Sequence, residues 1–280
     1  MKKTIISCVL FLTAVTAFSQ TPMKTAAEAK LSASDLAVKI ADRILATTTY
    51  EFKNTKTGKT YKSVKNLPLD MNVKVACKYN NWHYTNGVTH IALMELADKT
   101  GAKKYDDYVL KNMNFVFNEG NLDFFKKQYD QAMKNEGWYG VRKLSWHMIF
   151  RGKRLDDNGP MGASLIDLQM KHPNNSFLNY INETAEHLNY GEPRLADGTI
   201  ARIWPHENTI WADDAFMAIS FLARMAKMTG DMSYINDAAN QVIKYHKYLW
   251  CPEKRILYHC YHTDTDEHGV AHWSRANGWV

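Results

Sequence analysis

Apolar residues in this chain recur at helical spacing, and the helices they predict come in pairs. Leu36, Ile40 and Ile44 lie four apart behind Ser32 and Ser34, which predicts a helix capped by one of those serines and running to about Thr48. Tyr50 to Asp70 is rich in Lys, Thr and Asn and reads as a long loop. From Trp82 onward the pattern repeats. Trp82-His-Tyr84-Thr-Asn86-Gly87 opens a helix through Ile91, Leu93, Met94 and Leu96 that stops at Thr100-Gly101, and a second helix starts near Tyr105. Trp211-Ala-Asp213 opens another through Met217, Leu222 and Met225 that stops at Thr229-Gly230, and its partner starts near Tyr234. The offset is a constant 129 residues for Trp82 and Trp211, Ala97 and Ala226, Gly101 and Gly230, and Tyr105 and Tyr234. A weaker third copy runs from Gly159 through Leu165, Leu168 and Met170 to Phe177 and Tyr180.

Each glycine ends one helix and allows a short turn into an antiparallel partner. The first helix of a pair, such as Ala215 to Met225, is apolar nearly all round and is expected to be buried, with an amphipathic second helix outside it. Repeated hairpins of this kind build an α-solenoid or a closed α/α toroid. In a toroid the inner helices begin around one mouth. Trp82, Gly159, Trp211 and Trp273 would then gather there, where aromatic and acidic residues concentrate, which favours a toroid with a pocket. Thr199 to Arg202 and Ile256-Leu257-Tyr258 read as short β-like pieces in loops over that mouth, and Asn118 to Arg154 as extra helix.

Composition adds an address and removes some functions. Lys2-Lys3, an apolar run from Ile5 to Phe18 and Ala17-Phe18-Ser19 are expected to form a secretory signal over residues 1–19, followed by a linker over 20–33 and the helical-hairpin domain over 34–280. The run is shorter than the ~20 residues a spanning helix needs, so no membrane segment is expected after cleavage. The expected location is the periplasm. Loss of Lys2 and Lys3 takes the formal charge from +6 to +4, too mild and too scattered for a nucleic-acid binder. Cys77, Cys251 and Cys260 are too sparse for a disulfide framework; a Cys251–Cys260 bridge and free buried thiols both remain open.

Three clusters carry candidate chemistry: Trp211-Ala-Asp213-Asp214-Ala-Phe-Met217, Tyr258-His259-Cys-Tyr-His262, and Trp273-Ser-Arg275-Ala-Asn277-Gly-Trp279. Flat rings beside carboxylates, an arginine and amides suit a sugar that bears an acid group. A ring stacks on the sugar, a carboxyl moves a proton and arginine pairs with the anion. Asp213 and Asp214 sit at a helix start, where capping is the plainer role. Asp156-Asp157-Asn158-Gly159 reads as a turn with an N-cap before the third inner helix, and also as a second acid at the mouth. Arg275 could pack on Trp273 or Trp279, or present donors to an anion. Met217 could touch a ligand or belong to the core. The spacing of His259, His262, His268 and His272 fits no familiar zinc pattern, so no metal is expected. His90, His147 and His246 are expected to pack within helices or at the surface.

Together Trp82-x-Tyr84-x-Asn86-Gly87, Asp157-x-Gly159-x-Met161-Gly162, Trp211-x-Asp213-Asp214-x-x-Met217, Tyr258-His259 and Trp273-x-Arg275-x-Asn277-Gly278-Trp279 resemble glycoside hydrolase family 105, the unsaturated rhamnogalacturonyl hydrolases, related to the unsaturated glucuronyl hydrolases of family 88. The resemblance implies an all-α (α/α)6 barrel without metal or organic cofactor. It also implies hydration of the 4,5-double bond in the unsaturated uronyl residue that polysaccharide lyases leave at a non-reducing end. Asp213 would be the general acid/base and Asp157 a second acid. Tyr84, Trp211, Asp214, Met217, His259, Trp273, Arg275, Asn277 and Trp279 would surround the substrate, an unsaturated uronyl oligosaccharide of pectic origin. Such a barrel has helices beyond the position of Val280, so the resemblance makes the chain a truncated one. Two further functions fit the same residues: an α/α-barrel enzyme cleaving ordinary glycosides through Asp157 and Asp213, and a non-catalytic glycan-binding repeat protein.

Overall fold

The computed structural model describes residues 32–151 and 154–280. The expected signal segment and most of the linker lie outside the described residues. Contacts divide the chain into two units, Met1–Asp42 and Arg43–Val280. The described part of the first is the opening of α1 (Ala33–Thr47), where Ser32 and Asp35 cap each other: Ser32 Oγ accepts from the Asp35 N–H at 3.1 Å and Asp35 Oδ2 accepts from the Ser32 N–H at 3.2 Å.

In the second unit the Tyr50–Asp70 segment, expected as loop, carries two strands of a small antiparallel sheet. It is ordered β2-β1-β3 from β1 (Phe52–Asn54), β2 (Thr60–Tyr61) and β3 (Val73–Val75). Lysine and threonine hide this in the sequence because only alternate residues of β1 and β3, such as Phe52, Val73 and Val75, are buried.

Three helical hairpins follow. The first pairs α2 (Tyr84–Thr100) with α3 (Lys104–Phe117). After α4 (Glu119–Val141) and the short α5 (Met148–Arg151), the extra helix expected here, α6 (Leu155–Lys171) pairs with α7 (Asn175–Glu186). The third pairs α8 (Ala212–Thr229) with α9 (Met232–Leu249). The 129-residue repeat marks equivalent structure. Gly101 and Gly230 both adopt left-handed backbone, φ 71° and 75°, and their N–H groups bond the carbonyls of Ala97 and Ala226. The outer helix α9 buries only Ala238, Gln241, Tyr245 and Leu249, one stripe at helical spacing, whereas α6 is buried almost continuously from Leu155 to Leu168.

The inner helices α2, α6 and α8 run parallel with their first turns level. A Cβ on Gly87 would lie 2.4 Å from the Pro160 carbonyl carbon, and one on Gly159 would lie 2.1 Å from the Met217 carbonyl oxygen. Three residues on, Gly162 meets the Phe221 ring. Here glycine is required by contact between backbones rather than by backbone angle. Asp156 to Gly159, expected as a turn, therefore forms the first turns of α6. Tertiary packing overrides a run of poor helix formers. Gly159→Ala is expected to destabilise the protein by about 1–3 kcal/mol, read as a lower urea midpoint with an unchanged m-value.

Short strands close over the ends of these helices. β5 (Trp250–Cys251) pairs with β6 (Ile256–Leu257); β4 (Thr209–Trp211), β7 (Cys260–His262) and β8 (Glu267–His268) form a second sheet; and α10 (Ser274–Trp279) packs on α8. Cys77, Cys251 and Cys260 are free thiols.

Candidate active site

Asp213, in the first turn of α8, is the meeting point of the sequence clusters. It is 6% exposed, and both of its oxygens are engaged. His259 Nε2 lies 2.9 Å from Oδ2, and Trp279 donates its indole N–H to Oδ1 at 3.1 Å. Arg275 Nη2 stands 3.6 Å from Oδ1, with its guanidinium 5.4 Å over the Trp273 ring. His259 is held by its backbone: its carbonyl accepts from the Ala212 N–H at 3.0 Å, and its N–H donates to Ala271 at 2.9 Å. The β4–β7 pairing thus delivers the imidazole to the start of α8. Aromatic rings line the approach. Trp211 meets His259 edge-on at 4.9 Å, Trp273 stacks on His259 at 5.9 Å, and Trp279 lies between Phe216 at 5.2 Å and Tyr84 at 6.4 Å.

Asp157, in the first turn of the neighbouring α6, is buried and bonded by Arg151. Burial pushes its carboxyl up to about 6 despite that arginine. Trp82, wholly buried, donates its indole N–H to the Asp157 carbonyl at 2.8 Å and so ties the opening of α2 to that of α6.

Three residues of the expected substrate set are placed elsewhere. Asp214 is 1% exposed and taken up by Arg202, whose Nε and Nη2 each donate to one carboxylate oxygen at 2.7 Å. Met217 is buried among the inner helices at the level of Gly159. Asn277 faces away from Asp213; its side chain bonds both the N–H and the carbonyl of Leu257, fastening α10 to β6. The remaining histidines disperse. His90 is buried in α2 with its imidazole depressed to about 4 by burial, His246 stacks on Trp250, and His268 and His272 bond the carbonyls of Tyr248 and Leu257.

On the Asp214 side of α8 lies a cavity of about 490 Å³, bounded by Arg154, Asp156, Glu192, Arg202, Trp204 and Asp214. Arg202 lies 3.5 Å from Asp156 as well as pairing with Asp214, and stacks 5.0 Å over Trp211. Burial, with the Asp214 carboxyl nearby, pushes Glu192 up to about 8; it sits 2.9 Å from His187 Nε2. Arg151, Arg202 and Glu192 were not singled out from the sequence. The available signal was an arginine placed between Ala201 and Ile203 in a β-like run, next to Trp204.

The profile of Glycosyl Hydrolase Family 88 matches residues 56–280. The chain belongs to this family. The family 88 chain is 26% identical over 167 residues to the unsaturated rhamnogalacturonyl hydrolase YesR of Bacillus subtilis, an alignment covering 54% of this chain and 46% of the relative. It thus spans about half the length of the curated relative it matches. Among solved structures it is similar to a possible member of glycoside hydrolase family 105 from Klebsiella pneumoniae, with TM-score 0.58, 16% identity, and coverage of 90% of this chain and 57% of the other. A family 105 glycoside hydrolase from C. acetobutylicum gives TM-score 0.58 at 21% identity, covering 89% and 56%. An alpha-1,6-mannanase from Salegentibacter gives 0.53 at 14% identity, covering 88% and 61%. These likenesses show a shared helical-hairpin fold, the architecture expected from the repeat.

Proposed function

We propose that the protein is an exported glycoside hydrolase that removes the 4,5-unsaturated uronyl residue from the non-reducing end of lyase-generated oligosaccharides, with rhamnose as the next sugar. The observation that carries this is the Asp213 carboxyl: buried, held by His259 and Trp279, and faced by a half-exposed arginine on an aromatic wall. Family membership and the name of the Bacillus relative support the substrate class. Lys2-Lys3 and the apolar run after them support export to the periplasm.

The chemistry follows from those groups. Arg275 pairs with the uronate carboxylate, and Trp273 or Trp279 covers a face of the flat ring. Asp213 gives a proton to C4 of the enol ether, and the positive charge that develops at C5 is shared with the ring oxygen. Water attacks C5 and returns a proton to the Asp213 carboxylate. The hemiketal at C5 opens as its bond to the ring oxygen breaks, which leaves a ketone at C5 and a hemiacetal at C1; the hemiacetal then collapses to an aldehyde, its C1–O bond to the neighbouring sugar breaks, and that sugar leaves with the hydroxyl proton. The net change is the addition of one water. Asp157 would hold a sugar hydroxyl.

The test follows the ultraviolet absorbance of the conjugated double bond, which the hydrated product lacks. Decay is expected with lyase-digested rhamnogalacturonan, and no release is expected from the same oligosaccharide with a saturated end. Release from the saturated end instead would assign an ordinary glycosidase, a reaction class represented on this fold by the mannanase.

A further inference from the structure

The run rich in Lys, Thr and Asn ahead of α2 takes no part in the group around Asp213, yet it carries most of the protein's net charge. Residues 51–78 hold seven lysines against Glu51 and Asp70, with no arginine or histidine, a net charge of +5 in a chain whose total is +6. Six of these lysines are exposed and the seventh, Lys74, is half-buried. Among the described residues none of the seven stands within ion-pairing distance of a carboxylate. Asp70 is taken up by amides instead. It accepts from the Asn72 N–H at 2.8 Å and from the side chains of Asn72 and Asn54 at 2.7 and 3.1 Å.

The small sheet brings these charges together. Phe52 and Asn54 of β1 and Val73 and Val75 of β3 are buried, so Lys53 and Lys74 between them stand on the outer face. Register makes them direct partners: Lys53 lies opposite Lys74 across β1–β3 and opposite Thr60 across β1–β2. Like charges in directly opposed positions destabilise a sheet, and an anion laid across them removes that cost. Lys74 donates to the Lys143 carbonyl at 3.0 Å. Lys56, Lys74 and Lys143 border a groove of about 600 Å³ with Gln131, Asp70 and Glu136, and Glu136 is paired with Lys143 at 2.8 Å. Lysine supplies point charges without the arginine fork, which suits anions repeated along a chain better than one fixed group. We propose, on this charge complementarity, that the face centred on Lys53, Lys56 and Lys74 binds an acidic polysaccharide through a run of its uronate carboxylates. The choice of a uronate polymer rests on the function proposed above. The surface adds to it a hold on the polymer itself, separate from the reacting carboxyl.

The probe is saturated polygalacturonate, which has no double bond to hydrate, with its fully methyl-esterified form as the neutral control. By calorimetry the wild-type protein is expected to bind the acidic polymer and not the neutral one, and raised salt should weaken that binding. Lys53→Gln, Lys56→Gln and Lys74→Gln together should weaken it by about tenfold, the worth of three exposed ion pairs. The same charge removed at the exposed Lys99, Lys227 and Lys254 should change it by less than about twofold. The sheet variant should melt no lower than wild type, because it removes a like-charged pair, and should hydrate a short unsaturated uronyl disaccharide at the wild-type rate. If it melts early, Lys53→Gln and Lys56→Gln decide singly, each with a loss of about twofold or more. No binding by the wild type, binding unchanged in the sheet variants, or an equal loss in the two triple variants overturns the proposal. So does tighter binding of a DNA oligomer or of phosphatidylglycerol vesicles than of polygalacturonate. Failure of the folded protein to hydrate any unsaturated uronide would sink the catalytic reading alone, since polygalacturonate binding needs no turnover.

Discussion

Asp213→Asn is expected to slow the decay of unsaturated-uronate absorbance by about 10²–10⁴-fold in kcat, the usual worth of a positioned general acid/base. The substitution keeps the shape of the site. Asparagine Oδ1 can still accept from Trp279, and its amide can still meet His259 Nε2, so the two contacts that hold the group at 3.1 and 2.9 Å persist. What is lost is the exchangeable proton. The melting temperature should therefore stay within a degree or two of wild type and KM should change little, because Arg275 and the aromatic walls remain. A variant that melts early, or one that turns over normally, would remove Asp213 from the proton-transfer role. Early melting would mark it instead as a structural clasp between α8, α10 and the loop bearing His259.

Arg202→Met should produce the largest loss of stability, about 3–5 kcal/mol at pH 7.5, because it strands a carboxylate that is 1% exposed. For a chain of this size that is a fall of roughly 10 °C in melting temperature. The loss should depend on pH in a definite direction. Burial already pushes Asp214 up to about 6 with the arginine in place, against 3.8 ordinarily. Without the guanidinium the carboxyl rises further. Between 3.8 and the raised value the native state holds a proton that the unfolded chain has released, so acidification favours the native state. The deficit relative to wild type should then be largest above the raised value and shrink as pH falls through it, to about half or less by pH 5. Urea midpoints at the two pH values check this. A deficit equal at both would mean that Arg202 acts by packing over Trp211, 5.0 Å away, and not by its charge.

Much of the hairpin framework could be read from local signals, because the physics that sets it is local. Gly101 and Gly230 end their helices in left-handed backbone, a need that glycine announces by itself. Gly159 is the opposite case. It sits inside a helix because another backbone needs the space, and Asp-Asp-Asn-Gly-Pro in sequence looks like a turn. The same division runs through the site. Arg275 and Trp279 are four apart on α10, so one helical face brings both to Asp213. Asn277, midway between them, must face elsewhere, and that spacing was already visible in the chain. The partnership of Arg202 with Asp214 was not. It joins a bridge-forming segment to a helix 12 residues on, and no local pattern reports which acid a guanidinium will meet.

The level packing of α2, α6 and α8 has an electrostatic result. Three parallel helices that begin at one height turn the positive ends of three backbone dipoles to the same opening, each equivalent to about half a positive charge. The dipoles add because the axes are parallel, and side chains are not needed for the effect. The main chain thus supplies a positive contribution there, set against the carboxylates of Asp156, Asp157, Asp213 and Asp214 in the first turns of α6 and α8. It persists when any one arginine is removed, and it is fixed by the glycines that let the helices lie side by side.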